Sequence, residues 1–170
     1  MKIFAKRGFT LVELLLYVGI LATLMLVTSL LLSAILQARV KSQTIAEVEQ
    51  QGAQAMHVIT QTLRNADGIN SPGQGLGAAS LSVNTYTLAN NPTLFDLSGG
   101  IVRITEGAGQ ATPLTNTRVT VSSLSFQNFS RSSTPGTIRI QFIVSAVNAS
   151  GSNEYDFQKT FIGSASLRQP

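Results

Sequence analysis

The sequence predicts an α+β chain: one long N-terminal α-helix, membrane-spanning in its first half and amphipathic in its second, packed on an antiparallel β-sheet head. Three patterns predict it. Leu14 to Ala38 carries no charged side chain, and about 20 mainly apolar residues suffice to cross a bilayer. From Gln37 to Ala66, apolar and small residues recur in steps of three or four, at Ile45, Val48, Gly52, Ala55, Ile59, Leu63 and Ala66, the spacing of one helical face. After Pro72 the period drops to two, with Gly, Asn, Pro and Ser clusters between short segments, as in strands joined by turns.

Each element follows from its residues. Arg39, Lys41, Glu47, Glu49 and several glutamines lie off the stripe, as a half-buried helix requires. Asp67-Gly68 and Ser71-Pro72-Gly73 stop it. One helix from Phe9 to Ala66 would be about 85 Å long at the α-helical rise. In the head, Leu81, Val83, Thr85 and Thr87 alternate with polar residues. Ile101–Ile104, Val119–Val121, Leu124–Phe126, Ile138–Val144 and Tyr155–Phe161 follow. They predict one antiparallel sheet of about four to six strands. A hairpin is expected around Ala149-Ser150-Gly151. A helix laid on such a sheet is a layered α+β architecture.

Charge excludes more than it suggests. Twelve basic and eight acidic residues give +4, which alone would invite nucleic acid. Lys2, Lys6 and Arg7 sit ahead of Gly8, however, and without them nine basic residues face eight acidic ones. From Asn70 onward, six basic residues are scattered among four acidic ones, with no basic block and no nucleic-acid module. Nucleic acid is therefore not an expected partner. With no cysteine, disulfide scaffolds, thiolate metal sites and cysteine nucleophiles are excluded.

The first residues run Met1-Lys2-Ile3-Phe4-Ala5-Lys6-Arg7-Gly8, then Phe9-Thr10-Leu11-Val12-Glu13 and an apolar stretch. A cleaved secretory signal would have a shorter apolar core and a small-x-small site. Leu36-Gln37-Ala38 does not make one. A plain signal anchor fits the length but gives no reason for Glu13, since a carboxylate at membrane depth costs a few kcal/mol.

The run Arg7-Gly8-Phe9-Thr10-Leu11-Val12-Glu13 resembles the prepilin motif of type IV pilins and type II secretion pseudopilins, over about the first 40 residues. The resemblance implies cleavage after Gly8 by a prepilin peptidase, N-methylation of Phe9, and a place for Glu13 in assembly with other pilin or pseudopilin subunits and a membrane assembly platform. The positions make physical sense. Lys2, Lys6 and Arg7 hold the leader on the cytoplasmic side, so the head faces out. Gly8 adapts to the extended conformation a protease cleft needs. Cleavage frees an amine on Phe9, about one helical turn from Glu13. A buried carboxylate is tolerated when paired and strongly penalised when not, so Glu13 would reject wrong offsets between subunits. Residues 1–8 are then the leader, 9–38 the membrane and assembly helix, 39–69 the amphipathic helix and 70–170 the head. Where many major pilins carry a proline this chain has Leu30, which favours a minor subunit. The stretch Pro113-Leu114-Thr115, Val119–Val121 and Leu124–Phe126 is similar to heads of minor pilins of the PilW and pseudopilin J type. The resemblance implies a single-pass precursor in the cytoplasmic membrane, and then a periplasmic or cell-surface filament.

The head offers little chemistry. It contains neither a Gly-x-Ser-x-Gly elbow nor a histidine, so a serine nucleophile has no base. His57 is the only histidine and is read as a helix-surface residue. Glu154 and Asp156 are placed as two exposed charges on one strand face. With Asn153 they make a thin oxygen set for calcium, which takes about six to eight ligands. Gly73-Gln74-Gly75-Leu76-Gly77 lacks the lysine of a phosphate loop and is read as a flexible loop. Asn128-Phe129-Ser130 and Asn148-Ala149-Ser150 match the glycosylation sequon. No catalytic residue, cofactor or metal is expected, and the chain is read as a structural subunit and not an enzyme. A pilus-tip adhesin or DNA-binding pilin is one alternative. An anchored exported domain with unrelated activity is the other.

Overall fold

The computed structural model describes residues 10–132 and 136–168. The chain divides between Val40 and Lys41 into two units. The first is the apolar part of helix α1 (Leu11–Arg64). Every residue from Thr10 to Arg39 is exposed, and apolar side chains lie all round this stretch. Such a helix calls for lipid or neighbouring helices. By length and composition it is the one described helix able to cross a membrane.

The second unit holds the rest of α1 and all the strands. Thr44, Val48, Gly52, Ala55, Ile59 and Leu63 are the buried stripe of α1. The expected stripe is present from Val48 onward. Thr44 is buried in place of Ile45, which is half-covered. The helix stops at Arg64, two residues before Ala66. Ala66, also fully buried, opens strand β1 (Ala66–Ser71). The turn formers Asp67 and Gly68 are thus in an irregular strand, with register shifts at both ends of its pairing.

The head has two antiparallel sheets where the sequence led us to expect one. The first runs in the order β1, β3 (Leu81–Thr85), β4 (Thr93–Ser98), β5 (Ile101–Glu106), β6 (Thr112–Pro113). The second runs β2 (Gly77–Ala78), β7 (Val119–Asn128), β8 (Thr137–Ala146), β9 (Gln158–Ser166). Pro113 is opposite Arg103 in the last strand of the first sheet. A proline cannot donate to a further ladder, and the chain leaves the first sheet there and returns to the second, which β2 has already entered, at Val119. Hydrogen bonds stitch the crossing to the helix: the Asn116 N–H donates to the Gln51 side-chain oxygen at 3.1 Å, and its amide donates to Glu47.

One core joins these layers. Phe95, Phe126, Phe142, Ile59, Leu63, Leu81, Ile138 and Ile140 are its largest fully buried side chains. On β8 the inward residues are Ile138, Ile140, Phe142 and Val144, and on β9 their partners are Ala165, Gly163, Phe161 and Lys159. The Phe142 and Phe161 rings stack with centroids 5.5 Å apart. Helix and sheet approach closely at two glycines. A Cβ on Gly52 would lie 2.2 Å from the Phe161 ring, and one on Gly163 would lie 2.7 Å from the Met56 sulfur. Along the strand, Glu49 meets Lys159 at 2.6 Å and the Arg64 carbonyl accepts the Arg168 N–H at 3.2 Å, so β9 runs beside α1 in the same direction.

Candidate assembly site

The site the sequence singles out is at the start of α1. Lys2, Lys6, Arg7, Gly8 and Phe9 lie outside the described residues. From Thr10 the geometry is explicit. The Thr10 carbonyl accepts the first helical hydrogen bond, from Leu14 at 3.2 Å. Its side-chain oxygen accepts the Glu13 N–H at 3.3 Å. Thr10 is therefore the N-cap and Glu13 the third helical residue, the Thr-x-x-Glu spacing of a capping box. A carboxylate in this first turn also meets the positive end of the helix dipole. One turn further, the Tyr17 hydroxyl donates to the Glu13 carboxylate at 3.5 Å. Thr10 and Tyr17 are the residues that sequence reading passed over as parts of this site. The Thr-x-x-Glu signature was the legible signal for Thr10, and the four-residue spacing for Tyr17.

Glu13 is thus aimed by a cap and touched by a phenol, while its surroundings are exposed leucines and valines. It is the only charged side chain from Thr10 to Ala38. Three hydroxyls of the apolar stretch bond within their own helix. Thr23 donates to the Ile20 carbonyl at 2.8 Å, Thr28 to Leu24 at 2.9 Å, and Ser33 to Leu30 at 2.8 Å. Bonded in this way, hydroxyls add little polar demand on lipid or on a packed neighbour. Gly19 has open space where a Cβ would be, so a neighbouring backbone can approach there. The helix is continuous through Leu30.

In the head, the residues weighed for chemistry fall as follows. His57 is exposed on α1. Glu154 is in a 3-10 turn (Asn153–Tyr155) and Asp156 follows it; they do not share a strand face, because β9 starts only at Gln158. Two sets of bonds hold the chain out of the ladder there. The Asn148 side chain exchanges hydrogen bonds with the Ser152 backbone at 2.9 and 3.1 Å. The Lys41 ammonium donates to the carbonyls of Asn153 and Asp156 at 3.0 and 2.6 Å. The glycine-rich stretch, read as a flexible loop, instead includes β2, paired with β7 at Gly77–Gln127 and Ala78–Phe126. Asn128 is buried, its amide donating to the Pro72 carbonyl at 2.7 Å, so its nitrogen is closed to a glycan. Arg103 is held above its ordinary pKa chiefly by its side-chain hydrogen bonds to Asp96, which outweigh an opposing desolvation, and the Asp96 charge adds to the rise. This pair bridges β4 and β5 and touches no cleft chemistry. Among the described residues, no group of three His, Cys, Asp or Glu side chains is placed to hold a metal ion.

An exposed apolar helix with a capped, lone acidic residue in its first turn, followed by an α+β head, fits a membrane-anchored precursor. The sequence model of the prokaryotic N-terminal methylation motif matches residues 3–29. This match supports a type IV pilin or pseudopilin relationship and a role as a pilin-like subunit processed by prepilin peptidase, within a class that is structural rather than enzymatic. No curated protein and no solved structure shows significant similarity to the chain.

Proposed function

We propose that the chain is a minor structural subunit of a type IV pilus or type II secretion-like filament. It would enter the cytoplasmic membrane as a single-pass precursor with the head outside, be cut after Gly8, be methylated on Phe9, and pass through the assembly platform into a filament. The observation that carries this reading is the pairing of an all-exposed apolar half-helix with one charged side chain, Glu13, placed one turn from the expected new N-terminus. Burial of the helix against lipid and then against other subunits supplies the driving force, because the thirty consecutive residues from Thr10 to Arg39, mostly apolar, are exposed. Glu13 sets the offset: in a packed helix array its carboxylate is tolerated where the amine of a neighbouring Phe9 meets it and rejected elsewhere. The strand pattern of the head and the unbroken helix at Leu30 favour a minor subunit of the PilW or pseudopilin J type.

Replacing Glu13 by alanine in the producing cell tests this reading. The Glu13→Ala chain is expected in the membrane at normal abundance but missing from sheared filaments. If Glu13→Ala enters filaments as well as the parent chain does, Glu13 has no part in assembly and the helix is only a tether.

A further inference from the structure

A groove of ≈ 780 Å³ lies between the last turns of α1 and the end of β9. His57, Gln61 and Arg64 line one wall, and Ser164, Ser166 and Arg168 the other, with no carboxylate among its lining residues. Arg64 and Arg168 are exposed, and neither has an acidic partner within ion-pair distance among the described residues. By contrast, Arg103, Arg118 and Lys159 are each set against an acid of their own chain. The Arg168 N–H bonded to the Arg64 carbonyl sets the two residues side by side, and both line the groove. Arg64 also complements the negative end of the helix dipole, but that explains neither Arg168 nor the strand beside it.

β9 is the last strand of its sheet. Leu167 donates its N–H to the Gly136 carbonyl at 2.8 Å. Antiparallel partners alternate between bonded and non-bonded pairs. Phe161, Gly163, Ala165 and Leu167 therefore turn their backbone groups toward β8, and Ser164 and Ser166 turn theirs toward the open side. The facing hydroxyls of Thr137 and Ser166, 2.9 Å apart, agree, since side chains approach most closely at non-bonded pairs. Proteins blunt free edges with charges or proline, yet Thr160 to Leu167 carries neither.

We propose that this groove takes an extended acidic segment of a partner protein, which adds as a strand beside Ser164 and Ser166 and sets its carboxylates against Arg64 and Arg168. Backbone pairing gives such a segment its affinity and the cations select its charge. No Phe, Tyr or Trp lines the groove and His57 is its one ring, so it lacks the run of stacked aromatic rings that single-stranded nucleic acid uses. The groove lies within residues 41–168, and the proposal stands whether or not the N-terminal helix enters a filament.

The test uses the full chain in detergent micelles and a fluorescent extended peptide of about eight residues, alternating valine and glutamate with a free C-terminal carboxylate. Comparison probes are the same peptide with glutamine for glutamate and an amidated end, and a single-stranded thymidine oligonucleotide. The acidic peptide should bind saturably, weaken as salt rises, and slow hydrogen exchange at the Ser164 and Ser166 amides. The double substitution Arg64→Glu with Arg168→Glu should weaken it by about tenfold or more, and Ser164→Pro, which removes an outward N–H, should weaken both peptides. Should Ser164→Pro fail to fold, the arginine pair decides alone. The proposal is overturned if the neutral peptide binds as tightly as the acidic one, if the oligonucleotide binds more tightly, or if the arginine double variant binds unchanged.

Discussion

Helix α1 is one element in two different settings. From Thr10 to Arg39 every residue is exposed and the hydrophobic side chains point in all directions. From Thr44 to Leu63 burial returns every three or four residues, and Gly52 admits the Phe161 ring to the backbone. Hydrogen bonding within the helix is the same in both parts, so it cannot be what separates them. The difference is in who supplies the cover. The second half is covered by its own sheets. The first has no cover of its own, and its sequence is intelligible only for a helix that meets lipid or other helices.

That contrast can be broken by substitution, with stability of the detergent-solubilised full chain read from urea unfolding of the head. The largest loss is expected for Phe142→Ala. Phe142 is fully buried and stacked on Phe161, and removing such a ring costs about 3–5 kcal/mol. Next comes Gly52→Ala, because the added methyl would lie 2.2 Å from a ring that is itself wedged against Phe142. Overpacking of this kind costs about 1–3 kcal/mol, even though alanine favours a helix. The smallest effect belongs to the apolar half. Leu24→Ala removes an exposed side chain, and head stability should move by no more than about 0.5 kcal/mol. A large loss from Leu24→Ala would mean that exposure of this side chain does not describe its part in stability. A negligible one from Gly52→Ala would mean that the helix and β9 are not tightly packed.

Much of this arrangement was legible in the residues, and the misses have physical causes. The long helix, its buried stripe, and strands β3, β5, β7 and β8 follow from periodicity, whereas β9 begins three residues after the expected Tyr155 and runs on past Phe161 to Ser166. The two segments Val119–Val121 and Leu124–Phe126 are one strand. Inward residues shift from odd to even positions between them, and an irregularity with Ser123 at positive φ absorbs the extra residue. β4 escaped notice because its inward face begins with a polar residue, Thr93, before Phe95 and Leu97, while Leu94 on the opposite face is also apolar and half-covered, which blurs the period. β1 is composed of turn formers and is a strand only because β3 pairs with it. The split into two sheets depends on which strands pair across long separations, and period alone is silent on that. At the N-terminus, Gly8, Phe9 and Glu13 stand out by chemistry and spacing. The cap by Thr10 was equally readable as Thr-x-x-Glu. The groove beside β9 was not, since Arg168 is far in sequence from His57 and Arg64 and only the fold brings it to them.

The account rests on a new amino group at Phe9 that meets the Glu13 carboxylate of a neighbouring subunit. Intact-mass measurement of the protein recovered from filaments of the producing cell tests this most directly. The account predicts a chain that begins at Phe9 and carries one N-terminal methyl group. A filament-borne chain that still carries Met1 through Gly8 would contradict it, because no free amine would then exist one turn from the carboxylate.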